Sequence, residues 1–377
     1  MTEKNYSPGL EGVIAGLSGI SEIDPEKVRL TYRGYSIDDL AEHSTFEEVC
    51  YLLLHSTLPN QSALDSFSAE LASSRELPPP LIDSLGKAPK NASVMDALRT
   101  GVSYLGMTDP DTGDNSRDAN VRKAMRLISQ TSTLVAAIHR LRNDLDPVAP
   151  RADLSYAKNL LTMIRDAEPD DVETRTLDVS LILYAEHTFN ASTFAARVIC
   201  STLADMHGSI AGAIGALKGP LHGGANEEAM QMLIEIGEPD KAEAYVLNKL
   251  ATREKIMGFG HRVYKYGDSR VPFLKKLGKE LSVRRGETKW HEIADTMEAV
   301  MLREKEIHPN VDFPCGYVYH LLDLPLSLYT PLFAAARMVG WCTHVIEQHD
   351  DNRLIRPSSI YNGDRDQPFV PIDERDA

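Results

Sequence analysis

The sequence predicts an all-α protein with a minor β-hairpin near its N-terminus. Apolar residues recur at helical spacing behind cap residues along most of the chain. Strand-like alternation is confined to one short stretch. Strands do not alternate with helices, so nothing here can build a doubly wound sheet.

The elements follow in order. Val28, Leu30 and Tyr32 alternate with polar residues ahead of Gly34, which predicts the hairpin. Thr45 and Glu48 have the spacing of a capping box, with Phe46, Val49, Leu52 and Leu53 behind them on one face. Asn60 can cap the next helix, whose apolar face is Leu64, Phe67 and Leu71; the short connection predicts an antiparallel pair. Pro78-Pro79-Pro80 breaks the chain, and a helix from Ser93 to Tyr104 follows. A polar loop spans Asp109 to Asp118, then a long helix runs from Asn120 to Leu141. That loop has calcium-loop spacing at its start, but Asn120 stands where the bidentate Glu belongs, so it reads as a solvated loop. Ile199 to Leu217 reads as one helix. Ala204, Gly208, Ala211, Gly212, Gly215 and Ala216 give it a flat face, for intrachain packing or for a subunit interface.

The 377 residues predict two or three domains, or one with a large insertion. Apolar residues make up 42%, enough to exclude disorder as the main state. Forty Lys and Arg against 55 Asp and Glu give a net charge of −15, which argues against nucleic acid as a partner. Cys50, Cys200, Cys315 and Cys342 lie far apart with no CxxC, and the first residues carry no apolar signal region. These features predict a reducing, cytoplasmic location. Apolar runs such as 179–185 fall well short of the ~20 residues that span a bilayer, so a membrane protein is excluded.

Two histidines stand out because glycine surrounds them. One lies in Gly219-Pro-Leu-His222-Gly-Gly224, the other in Gly258-Phe-Gly-His261-Arg262-Val-Tyr-Lys265. Glycine lets a backbone turn tightly and approach a ligand closely. A helix starting after Gly224 places His222 near its N-terminus, where the dipole keeps imidazole neutral and fit to donate to a developing enolate. Asp312 lies between apolar residues and prolines; it is either a turn cap or, if desolvated, a strengthened base. Tyr184 to Thr193 crowds polar groups, Glu186, His187, Asn190 and Ser192 among them, behind an apolar run; this is a structural network or a ligand site. Arg270, Arg337, Arg353 and Arg356 could fork onto carboxylates, and Arg337 is notable for its apolar, small-residue surroundings. A three-histidine zinc site from His187, His222 and His261 lacks any supporting spacing, so no metal is expected.

Together these segments resemble the citrate synthase family. The motifs are YAEHTFNASTF at 184–194, GPLHGGANEEAM at 219–230, GFGHRVYK at 258–265, NVDF at 310–313, and ARMVGW followed by EQHDDNRLIRP up to 357. The resemblance covers the chain from Leu10 to Gly363. It implies the nearly all-α fold of that family as a homodimer, with a large domain at 1–219 and 326–377 and a small domain at 220–325. It implies condensation of acetyl-CoA with oxaloacetate and hydrolysis of citryl-CoA, with no cofactor. Asp312 matches the base, His222 the neutral donor to the enol, and His261 the group acting on the oxaloacetate ketone. His187, Arg270 and Arg337 match oxaloacetate ligands, and Arg356 matches the arginine that reaches across the dimer. Arg262 and Lys265 match basic positions near the CoA phosphates. The chain lacks the N-terminal extension of the larger NADH-regulated forms and resembles the short type, so NADH inhibition is not expected. 2-Methylcitrate synthase, which uses propionyl-CoA, is the near alternative; Arg262 and Thr188 depart from its usual pattern. A non-catalytic assembly protein is the alternative of another class, and would fit the loss of His222, His261 or Asp312.

Overall fold

The computed structural model describes residues 6–260 and 266–375. A three-stranded antiparallel meander opens the fold: β1 (Ser21–Asp24), β2 (Arg29–Tyr32) and β3 (Tyr35–Ser36). Ser21 pairs with Tyr32, and Thr31 with Ser36. The expected hairpin therefore gains a third strand, because Arg33 and Gly34 both take positive φ and reverse the chain at once. Val28 falls in the turn rather than in a strand, at φ 50°.

Sixteen α-helices follow among the described residues. The first seven are α1 (Ile37–His43), α2 (Phe46–His55), α3 (Gln61–Ser73), α4 (Pro79–Gly86), α5 (Val94–Thr108), α6 (Arg117–Arg142) and α7 (Tyr156–Arg165). Next are α8 (Asp171–Tyr184), α9 (Ala191–Cys200), α10 (Met206–Leu217), α11 (Ala225–Ile236) and α12 (Ala242–Ala251). The last four are α13 (Val271–Arg285), α14 (Lys289–Lys305), α15 (Asp312–Leu321) and α16 (Tyr329–Asp350).

The caps explain the boundaries. Asn60 accepts from Ala63 N–H as expected. Thr45 caps α2, but Glu48 turns to the Ser44 hydroxyl at 2.6 Å instead of closing the box. Ser116 caps α6, so that helix begins three residues before Asn120. The helix expected over 199–217 is two helices. Asp205 accepts from Gly208 N–H and starts α10 afresh, leaving Ala204 in the connection. Ile199 of α9 packs at Gly212 of α10, which is the intrachain alternative for that residue. In the 109–118 loop, Arg126 grips Asp109 with two bonds of 2.7 Å and Arg122 grips Asp111, so arginines take the place a cation would.

The long helix α16 is buried nearly all round and packs on α2, α6, α8, α9 and α10, making it the core's axis. Helices α11, α13 and α14 pack on α15, and α13 also leans on α8. Five segments thus meet at the C-terminal end of α8: the loop to α9, the turn before α11, the loop before α13, the start of α15 and the middle of α16. No helix among the described residues is long and apolar enough to cross a membrane.

Candidate active site

The site is built on the C-terminus of α8. A capping box at Asp170 and Glu173 starts this helix, and its second half is wholly buried. The last carbonyls of a helix have no partner within it and carry its negative dipole end. Here two guanidinium groups and a phenol serve them. Arg337 Nε donates to Tyr184 O at 2.7 Å, Arg270 Nη1 reaches Leu183 O at 3.5 Å, and Tyr32 Oη donates toward Ile182 O at 3.1 Å. The helix end thereby collects two buried positive charges from chain segments far apart in sequence.

Arg337 is 1% exposed, and among the described residues its only hydrogen bond is the one from Nε. Burial pulls its pKa down, while the charge of Glu186 acts against that. Phe333, one helical turn earlier, lies under the guanidinium with 5.0 Å from its carbon to the ring centre. The same ring contacts Tyr184 at 4.5 Å and faces His222 edge-on at 6.2 Å. A fork fixed through Nε, with both terminal nitrogens left over in an apolar wall, is suited to a carboxylate.

His222 sits in the glycine-rich turn three residues ahead of Ala225, the first residue of α11. Gly223 is obligatory there, since a Cβ would lie 2.4 Å from Leu217 O. His222 Nε2 lies 2.8 Å from Ser192 Oγ and 3.3 Å from Ser192 N. A backbone N–H can only donate, so the network assigns Nε2 as an acceptor and places the ring proton on Nδ1. Ser192 is itself held by Asn190 Oδ1 at 2.7 Å and by Trp341 Nε1–H at 3.1 Å. Burial, then the charge of Arg337, lowers the His222 pKa to about 4. Burial, which the sequence did not show, is the first cause of this shift.

Asp312 is the first residue of α15, and its N–H donates to Asn310 Oδ1 at 3.0 Å. Its Oδ1 accepts from Tyr184 Oη at 2.6 Å. Burial raises its pKa, against the Tyr184 bond and the charges of Arg270 and Arg337. It is therefore a desolvated carboxylate rather than a plain turn cap.

His187 is 8% exposed, three residues past Tyr184 in the irregular stretch that leads to α9. Behind it Glu186 accepts from Ser21 Oγ and His344 Nε2, and His344 Nδ1 accepts from Arg197. The polar crowd of 184–193 is thus both a structural network and part of a site.

The structure brings together His222, Arg270, Asp312 and Arg337, and His187 lies on the stretch directly after Tyr184. Arg356 stands apart, exposed on the tail after α16 and with no ion pair within the described chain. Arg353 is likewise exposed on that tail. His261, Arg262 and Lys265 lie outside the described residues. Among the described residues, no group of three or more His, Cys, Asp or Glu is arranged to hold a metal ion. Tyr184 and Ser192 belong to the polar stretch singled out from sequence, whereas Phe333 and Trp341 were not read as functional positions. Sequence reasoning also missed Asp268, which grips Arg270 with bonds of 2.9 and 2.8 Å.

Comparison with known proteins bears on this arrangement. The family model described as Citrate synthase, C-terminal domain matches residues 9–358. Citrate synthase 2 of Bacillus subtilis (strain 168) is 48% identical over 97% of this chain and 98% of its own. 2-Methylcitrate synthase 2 of Corynebacterium glutamicum is 45% identical over 99% of each. Among solved structures, the ternary complex of carboxymethyl coenzyme A and oxaloacetate with citrate synthase from Thermoplasma acidophilum superposes with a TM-score of 0.93. It shares 33% identity and covers 98% of this chain and 100% of that one. The fold and these matches show that the chain belongs to the citrate synthase family.

Proposed function

We propose that the protein condenses acetyl-CoA with oxaloacetate and hydrolyses the resulting citryl-CoA to citrate and CoA. The observation that carries this reading is the pairing of a neutral His222 with a desolvated Asp312 beside two buried arginines. A thioester α-proton is too weakly acidic for a solvated carboxylate, so base, enol donor and a dry site must act together.

Asp312 takes a proton from the acetyl methyl group. The electron pair moves onto the thioester oxygen, which His222 Nδ1–H stabilises by a hydrogen bond. The enol carbon then attacks the ketone of oxaloacetate, whose oxygen takes its proton from His261. Water finally cleaves the thioester. Arg270, Arg337 and His187 hold the two carboxylates, and the fixed forks align the ketone for attack. Arg262 and Lys265 serve the CoA phosphates. The reaction requires neither cofactor nor metal.

We divide the chain into a large lobe, 1–219 and 326–377, and a small lobe, 220–325, with the site in the cleft between them. Closure after oxaloacetate binding excludes water. The active form is a cytoplasmic homodimer, in which Arg356 of the partner subunit completes each dicarboxylate site. Arg356 is exposed and makes no ion pair among the described residues, which supports this. A mixed dimer with Arg356→Ala in one subunit and His261→Ala in the other tests it. Action across the dimer leaves one site intact and about half the activity; action within the subunit damages both sites and leaves little.

The 45% identical relative supports a second reading, 2-methylcitrate synthesis from propionyl-CoA. One methylene is worth only about 1–3 kcal/mol in a pocket, so some propionyl-CoA turnover is expected in either case. CoA release with oxaloacetate and each acyl-CoA, with and without EDTA, decides among the readings. A higher kcat/KM with acetyl-CoA, unaffected by EDTA, supports the first. A higher value with propionyl-CoA supports the second, and no release from either acyl-CoA contradicts both.

A further inference from the structure

The loop before α13 is attached at both of its described ends to the stretch that leads into Asp312. At one end it forms a short ladder. Asn310 N–H donates to Gly258 O, Gly260 N–H to His308 O, and Asn310 Nδ2 to Gly260 O, all at 2.9 Å. Gly258 permits this with φ 80° and with no room for a side chain against Phe313, whose Cβ would lie 2.7 Å away.

At the other end stands Asp268, its side chain 1% exposed. Its Oδ1 accepts from Arg270 N–H at 3.1 Å and from Arg270 Nε at 2.9 Å. Its Oδ2 accepts from Arg270 Nη2 at 2.8 Å and from Val311 N–H at 3.1 Å. One buried carboxylate therefore grips the fork of Arg270 and the backbone one residue before Asp312. A Coulomb attraction could be met by many geometries; a fork on one side and a fixed N–H on the other admit few.

We propose that Asp268 is a positioning residue that couples Arg270, the oxaloacetate ligand, to the alignment of the base Asp312. Seating the dicarboxylate on Arg270 and setting the base are then one mechanical event. This inference rests on the roles given to Arg270 and Asp312 above. It explains why the arginine of a binding site is held by an acid at all: the acid weakens the anion site's net charge, but it transmits the arginine's position to Val311.

Among the described residues, the groups facing Asp312 are Tyr184 from α8, Arg270 and Asp268 from the loop before α13, Arg337 from α16, and Cys315 on its own helix. Asp268 pushes the Asp312 pKa up, whereas Arg270 and Arg337 push it down. Removing the negative charge at 268 therefore moves the acid limb of the rate profile to lower pH.

The experiment compares Asp268→Asn, Arg270→Lys, the double variant and Asp312→Asn. The readouts are kcat and KM for both substrates, the pH dependence of kcat/KM for the acyl-CoA at saturating oxaloacetate, and the melting temperature. Asp268→Asn is expected to raise the oxaloacetate KM, to lower kcat at saturation by about 100-fold, and to shift the acid limb downward. Its cost is expected to be non-additive with that of Arg270→Lys, since the two share one grip. If Asp268→Asn does not fold, Asp268→Ser carries the same test, because its hydroxyl brings no amide donor against Arg270 and Val311. A rise in KM alone, with kcat and acid limb unmoved, confines Asp268 to Arg270 and overturns the proposal. Full turnover in Asp312→Asn is a separate outcome and contradicts the assignment of the base itself.

Discussion

Asp312→Asn is expected to lower turnover by about 10³-fold while the fold stays intact. General base catalysis contributes about 10²–10⁴-fold, and the amide cannot accept the methyl proton. Because burial raises the pKa of this carboxyl in the folded state, the native protein binds its proton more tightly than the unfolded chain does. The stability this gives is complete below the unfolded carboxylate value and is lost as pH rises through the folded one. Above the folded-state value the ionised Asp312 thus costs stability, and there the Asn variant is expected to melt at the same temperature or higher. Lower activity with unreduced melting temperature separates a chemical role from a structural one. Tyr184→Phe supplies the matching control. The Tyr184 hydroxyl favours the ionised carboxylate, so its loss moves the acid limb upward, opposite to the shift expected from Asp268→Asn. A melting temperature well below that of the native protein in Asp312→Asn counts against this account.

His222→Ala is expected to lower kcat by about 10²–10³-fold, the usual cost of one donor to an oxyanion, with little change in oxaloacetate affinity. Calorimetric titration of oxaloacetate alongside turnover checks the split, and equal losses in both would deny His222 its role at the thioester oxygen. The variant also alters the pH dependence of stability. The folded-state pKa of His222 is depressed to about 4, so the unfolded chain takes up a proton first as pH falls. Its contribution to stability is present above about 6.5 and is lost as pH falls toward 4. Removing the ring flattens that part of the stability curve.

Much of this was legible in the sequence because it rests on local rules. Asn60, Ser93 and Thr45 cap the helices their spacing announced. His222 and Asp312 declared themselves through glycine or proline neighbours, which mark positions where backbone must approach something closely. Tyr184 and Phe333 carried no such mark. They sit in apolar runs where an aromatic residue is ordinary core, and only the fold shows one ring touching His222, Tyr184 and Arg337 together. Asp268 was hidden for another reason: an acid two residues from an arginine is a common surface pattern, and its bond to Val311 crosses 43 residues. The split between α9 and α10 was readable from the Asp205 cap, but small residues on both sides masked it as one continuous face.

The gathering of Arg270, Arg337 and Tyr32 at the end of α8 has a consequence for how activity arises during folding. Those bonds close loops of 87, 153 and 150 residues, and the Tyr184–Asp312 bond closes one of 128. Contacts of such sequence separation form late, after local helices, because each closure must overcome the entropy of the intervening chain. Helical content therefore returns early in refolding and says little about competence. Turnover waits for the last long-range closures, which makes it a sensitive reporter that the whole chain has assembled.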